Sequence, residues 1–336
     1  MDNLTHSLTG ILLARAGLGR LAPHGTALAV TAAILPDLDI VSGARGSLCY
    51  LAHHRGFTHA FFWLPLVALA PLPLWWLWSR RRQPVGARDW AWAYLISLAA
   101  TLSHLLLDAL NVYGIRLLEP FSGRWLHADL VNIVDVWIWA LLLLCVLGPM
   151  LARLVYSEIG ARGGSGRGMA WLGLLLLGGY VGLRAELHQQ ATGALNTRLY
   201  GGEAPLRVLA LPSAANPWSW TGLVETRSAW RVVPVDLLLP EFNPEEGRTY
   251  YKPAAGTVRQ AVLATETARV FLDFSQCPLW RITPAAQPDG AVLVRISDLR
   301  FGLPDENAFT AEFLVDPSGR VLRQQFAFGT MRARRP

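Results

Sequence analysis

Residues 90–112 read WAWAYLISLAATLSHLLLDALNV, and the class of fold follows from this stretch. As an α-helix it would measure about 34 Å at about 1.5 Å per residue, enough to cross a hydrocarbon layer of about 30 Å. Asp108 is its only charged residue, and His104 stands four positions earlier, on the same helical face. Ionisable groups inside a spanning helix are costly in lipid and are functional by default. The stretch therefore predicts both a membrane helix and the neighbourhood of a site.

Working outward, apolar runs of the same kind fill residues 1–190 and stop near residue 195. They predict helices over about Thr5–Leu21, Gly25–Val41, Phe57–Ser79, Trp90–Val112, Val131–Leu151 and Met169–His188, the last after a glycine-rich linker, ARGGSGRG. The first two are near the lower length limit for a span. Beyond residue 195, RVLALP, AVLVRISDLRF and FTAEFLV read as strands, with a hairpin turn at Asp316–Gly319. TVRQAVLATETARVFLDF reads as one amphipathic helix. The predicted fold class is an α-helical membrane domain of five to six helices (1–190) followed by a small α+β, β-rich extracytoplasmic domain (195–336) that acts as a lid.

Composition agrees. Hydrophobic residues make up 52% and charged residues 16%, against about 25% charged in soluble domains. That excludes an ordinary soluble protein and a disordered one. The three cysteines, Cys49, Cys145 and Cys277, show no paired spacing, so neither a disulfide framework nor a thiolate zinc site is expected. The net charge of +6 is explained first by positive loops on the cytoplasmic face of a membrane protein, and no nucleic-acid partner is expected.

Those arginines set the topology. Arg15 and Arg20, then Arg80, Arg81, Arg82 and Arg88, then Arg153, Arg162 and Arg167 fall in alternate loops, which are placed in the cytoplasm. The loops at 42–56 and 113–130, and everything after the sixth helix, then face outward.

Histidine and aspartate recur near the outward ends of these helices. The candidate metal ligands are His6, Asp37, Asp39, His54, His59, His104, Asp108, Asp129 and Asp135. Imidazole nitrogen with carboxylate oxygen suits Zn²⁺ or Mn²⁺. Each also has a structural reading. His104–Asp108 would look the same as a buried hydrogen-bonded pair, Asp37 and Asp39 as carboxylates ending a helix, and Thr5–His6 and Thr58–His59 as helix starts capped by threonine. His127 lies nearby in no motif and is expected to be solvated or interfacial. Nine donors exceed one tetrahedral site and suit two or three metals. Arg55 and Arg116, in the outward loops, present forks that match phosphate oxygens or lipid headgroups.

The segments DNLTHSLTG (2–10), LPDLD (35–39), HRGFTH (54–59), SHLLLDALNVYG (103–114) with LLEPFSGRW (117–125), and ADLVNIVD (128–135) resemble, in order, the motifs of the YdjM-like family of bacterial inner-membrane metal-dependent hydrolases. The resemblance implies a multi-pass protein of the bacterial inner membrane, and the nine ligands named above are its motif residues. His104-x-x-x-Asp108 is also similar, more remotely, to a helix motif of zinc-dependent phospholipase C and P1-type nucleases.

The expectation is an integral membrane hydrolase with two or three zinc (or manganese) ions. It would cleave a phosphoester on a lipid or lipid-linked substrate with a metal-activated water at the outer interface. Arg55 would hold the anion, and Asp39 or Asp135 would act as general base. The alternatives are a metal or proton transporter and a non-catalytic scaffold braced by metal.

Overall fold

The computed structural model describes residues 1–81, 84–158, 166–239, 242–254, 256–304 and 309–328, without the side chains of 155–158, 327 and 328. The predicted glycine-rich linker falls largely on 159–165, outside the described residues, as do Arg82 and Arg162.

Eight α-helices precede the first strand among these residues: α1 (Asn3–Ala16), α2 (Gly25–Ile34), α3 (Ser47–His53), α4 (Leu64–Val67), α5 (Leu72–Ser79), α6 (Ala87–Ala109), α7 (Val136–Glu158) and α8 (Arg167–Asn196). Five described segments are long and apolar enough to cross a membrane: Gly25–Arg45, Phe61–Ser79, Ala87–Ala109, Val136–Leu154 and Arg167–Asn196. α1, with 14 residues, is about 21 Å long and falls short of a span.

Two predicted helices are not regular. α2 stops at Ile34 and continues as a 3-10 helix, Leu35–Arg45, around Pro36. Pro36 has no N–H to donate back along the helix, so the α ladder is interrupted there. The predicted helix at 57–79 is broken into 3-10 turns at Phe57–His59 and Phe61–Trp63, then α4 and α5. Pro65 and Pro73 occupy first-turn positions, where the missing N–H leaves no bond unmade. Asp37, Asp39 and His59 thus sit on tight turns rather than on straight helices.

The chain forms two compact units. One comprises Met1–Asp39, Arg55–His188 and Pro212–Pro217; the other comprises Ile40–His54, Gln189–Leu211 and Trp218–Pro336. In the first, Leu8, Leu12, Leu107, Ile138, Leu142 and Ala170 form one buried cluster from α1, α6, α7 and α8. A second cluster joins α2, α5 and α6 through Ala29, Ala32, Ala33, Leu72, Trp75, Ala93, Ile96 and Ala100. Small residues bring these backbones close. A Cβ on Gly10 of α1 would lie 3.0 Å from the Ala29 carbonyl oxygen and 3.2 Å from the Ala33 Cβ. This position tolerates no larger residue without moving α2.

The second unit holds two four-stranded sheets. The first is ordered β1 (Arg207–Pro212), β2 (Ser219–Glu225), β3 (Ala229–Asp236), β4 (Arg248–Tyr251). The second is ordered β5 (Pro278–Pro284), β6 (Val292–Asp298), β7 (Phe309–Val315), β8 (Val321–Phe328). The predicted β7–β8 hairpin turns at Asp316–Gly319, closed by the Gly319 N–H donating to the Asp316 carbonyl. The single amphipathic helix expected here is two, α9 (Thr257–Leu263) and α10 (Glu266–Phe274). The Thr265 hydroxyl accepts from the Ala268 N–H and caps the second helix, so the chain restarts there. α3, though early in sequence, packs on α10 and β8 in this unit.

Candidate metal centre

α6 supplies the floor of the site. His104 and Asp108 point from one face of it, both fully buried. The 3-10 turn after α2 brings Asp37, and the turn after the Arg55-Gly56 loop brings His59. These four residues each offer one donor atom, all within 4.8 Å of one another, a grouping that could hold a metal ion.

His59 Nε2 lies 3.0 Å from His104 Nε2. Asp108 Oδ2 lies 3.3 Å from both nitrogens. Asp37 Oδ1 lies 3.6 Å from both. A tetrahedral cation with ligands at about 2.0–2.1 Å has donor–donor edges of about 3.3–3.4 Å. These five separations bracket that value, and all six lie within 4.8 Å.

The protonation pattern points the same way. His104 Nδ1 is 2.6 Å from the Ala33 carbonyl oxygen, so it carries the proton and donates it. The Thr58 hydroxyl donates to Asp39 Oδ2 at 2.8 Å, and with its hydrogen so used it accepts from His59 Nδ1 at 2.9 Å. With both histidines neutral, each imidazole turns a bare Nε2 lone pair toward the other. Between them Asp108 Oδ2 is buried and receives no hydrogen bond. Two lone pairs and an unpaired carboxylate oxygen at contact distance repel one another unless a cation lies among them. With neutral histidines, Asp37 and Asp108 bring two carboxylates to the cluster, and Asp108 shares its charge with the Arg55 guanidinium and the Met1 amino group on its other oxygen.

The surrounding groups hold this set in place. Asp39 Oδ2 lies 3.4 Å from His59 Nδ1 and accepts the Arg55 backbone N–H at 2.8 Å. This is the carboxylate–histidine support common behind metal-binding imidazoles. Asp108 Oδ1 lies 3.2 Å from the Arg55 guanidinium and accepts from Asn111 Nδ2 at 3.3 Å. Arg55 is buried, lies over the Tyr113 ring and has a positive φ of 57°. A left-handed backbone at a non-glycine residue is strain of a kind that gathers at functional sites.

The other candidates are placed differently. His6 is buried, stacks on the His104 ring at 3.8 Å and brings Nε2 to 3.4 Å from Asp108 Oδ1. Asp129, with φ 55°, faces His127, Oδ1 to Nδ1 at 2.9 Å. Asp135 caps α7: Oδ1 accepts the Trp137 and Ile138 N–H groups at 3.0 and 3.2 Å, and the Tyr180 hydroxyl approaches at 3.2 Å. His54 belongs to the second unit, where its ring stacks on Tyr50. The expected threonine caps are absent from both Thr–His pairs. Asp2 caps α1, and Thr58 bridges Asp39 to His59. Thr58, Asn111 and the Ala33 carbonyl are the contributors that sequence reading passed over. Only Asn111 left a trace, three positions after Asp108 on the same helical face.

Apolar spans together with a buried two-histidine, two-aspartate cluster define a multi-span membrane protein with a site able to bind a divalent metal. The chain belongs to the YdjM inner membrane protein family, whose profile matches residues 1–191. Over 153 residues it is 29% identical to the Bacillus subtilis (strain 168) protein described as "Uncharacterized protein YfhP". That alignment covers 41% of this chain and 43% of the relative, so the chain spans less than half of the relative's length. No solved structure matches the chain.

Proposed function

We propose that this protein is an integral membrane metal-dependent hydrolase acting on a phosphoester of a lipid or lipid-linked substrate at the outer face of the inner membrane. The observation that carries the reading is the convergence of Asp37 Oδ1, His59 Nε2, His104 Nε2 and Asp108 Oδ2, with both histidine Nδ1 atoms already engaged. The nitrogen–oxygen donor set and near-tetrahedral spacing favour zinc. A zinc ion held there supplies Lewis acidity toward a phosphoryl oxygen and toward water.

The Asp37, His59, His104 and Asp108 cluster accounts for one of the two or three cations expected from nine donors. Asp108 turns Oδ2 toward the four-donor cluster and Oδ1 toward the Arg55 guanidinium. The Met1 amino group and His6 Nε2 also face that Oδ1. The fixed positive charge of Arg55 is placed to hold an anionic substrate oxygen beside the metal position. Asp39 serves as a positioning residue, since its Oδ2 is committed to Arg55 and Thr58. Asp135 is committed to the α7 terminus. Among the four ligands Asp37 is the one with appreciable exposure, 17% of its side chain. Water and substrate reach the site on its side.

A transport pathway would need such groups through the depth of the membrane. Among the described residues, the one grouping of three or more metal-binding side chains is this cluster, placed at segment ends. The test is metal analysis of purified protein with a panel of phosphomonoesters, phosphodiesters and phospholipids. Wild type should carry at least one zinc per chain and hydrolyse at least one class. His104→Ala should remain folded and lose both. Hydrolysis retained by the metal-free variant would overturn the assignment.

A further inference from the structure

His59 lies in a short segment with exposed aromatic residues on either side. Phe57 is 46% exposed, Phe61 61% and Phe62 52%. A second loop lies alongside, held by the Arg116 N–H donating to the Arg55 carbonyl at 3.0 Å and the Phe61 N–H donating to the Leu117 carbonyl at 2.9 Å. It presents Phe121, which is 79% exposed. The rings form a connected strip: Phe57 meets Trp63 at 5.0 Å, Trp63 meets Phe62 at 4.9 Å, and Phe62 meets Phe121 at 5.2 Å.

We propose that this strip is a subsite for the hydrocarbon chain of an anionic amphiphile whose headgroup lies at the metal position. The inference rests on the hydrolase reading and specifies which part of the substrate goes where. Three observations select a lipid chain. Phe61 and Phe62 open the apolar span Phe61–Ser79, so the strip continues directly into the hydrocarbon layer. The strip is dominated by phenylalanine, which has no polar tip to hold at the headgroup level, where tryptophan and tyrosine normally gather. The positive charge lies two residues before Phe57, in Arg55, buried beside Asp108. Apolar outside and cationic inside is the complement of an amphiphile with an anionic head. A lipid diffusing in the outer leaflet would slide its chain along Phe121 and Phe62 while its phosphate reaches Arg55 and the metal.

The experiment uses full-length protein in nanodiscs, loaded with cobalt, whose visible spectrum reports on what enters the metal position. Inorganic phosphate and dodecyl phosphate are titrated against wild type and Phe121→Ser. Phe121 packs on Phe62 alone among the ring contacts found and is the most exposed of the strip, so this substitution is the least disturbing to folding. Equal cobalt loading of the two proteins checks that. In wild type, dodecyl phosphate should perturb the spectrum at concentrations at least about tenfold lower than phosphate, as burial of several methylenes requires. In Phe121→Ser that advantage should shrink by about threefold or more, with phosphate unchanged. Both proteins sit in the same bilayer, so partitioning of the probe cancels between them. An unchanged chain advantage in the variant, or none in wild type, would overturn the subsite while leaving the phosphate-binding reading intact. A spectrum that responds to neither probe would remove the hydrolase reading and the subsite with it.

Discussion

His59 and His104 come from different segments, yet their Nε2 atoms lie 3.0 Å apart, each with its opposite ring nitrogen already donating a hydrogen bond. Two acceptor lone pairs do not approach so closely for their own sake. The rest of the site is arranged around that contact. Asp37 and Asp108 add oxygens, and Asp39, Thr58 and Ala33 fix the ring orientations.

Chelation should therefore loosen the membrane unit as well as abolish any turnover. A ligand at about a thousand times its dissociation constant stabilises the folded state by about 4 kcal/mol. Thermal unfolding of the detergent-purified protein should shift downward on treatment with a strong chelator and return with added zinc. An unfolding curve indifferent to both would mean that these four groups bind no metal.

Asp39→Asn should keep the metal position but weaken it. Asparagine can still accept from Thr58, but it lacks the charge behind His59. Loss of such a supporting carboxylate costs about 10–100-fold in metal affinity. Competition with a chromophoric chelator measures this directly, and saturating zinc should restore full occupancy. Failure to bind at any zinc concentration would instead make Asp39 a direct ligand.

Asp135→Ala separates capping from ligation. The variant leaves the Trp137 and Ile138 N–H groups without their acceptor. It should lose about 1–2 kcal/mol of stability, the usual cost of removing a helix cap. Zinc stoichiometry should stay at the wild-type value, and a drop in bound metal at equal folded fraction would contradict the capping role.

Gly10→Val tests how the site depends on helix spacing. The added side chain meets the Ala29 carbonyl and the Ala33 Cβ, and the Ala33 carbonyl holds His104. Overpacking of this kind costs about 1–3 kcal/mol. Zinc affinity should fall although no ligand is changed, while Gly148→Ala in α7, where an added Cβ meets nothing within 4 Å, should leave affinity as it was.

The amino-acid sequence by itself determined the apolar spans, the switch to strands after residue 195, the pairing of His104 with Asp108, and the gathering of histidine and aspartate near segment ends. These follow from periodicity and from the cost of charge in lipid, both local properties of a chain. It did not determine which of nine donors meet. A shared helical face or a shared end of the bundle locates a side chain to several ångströms, whereas a common ligand sphere requires donor spacing near about 3.3 Å. Only the packing of α1, α2 and α6 through alanine and glycine, and the tight turns bearing Asp37 and His59, set distances that fine. The same packing gave Asp39 to His59 and Arg55 and gave Asp135 to a helix end, because a carboxylate serves whichever donors the tertiary structure brings to it.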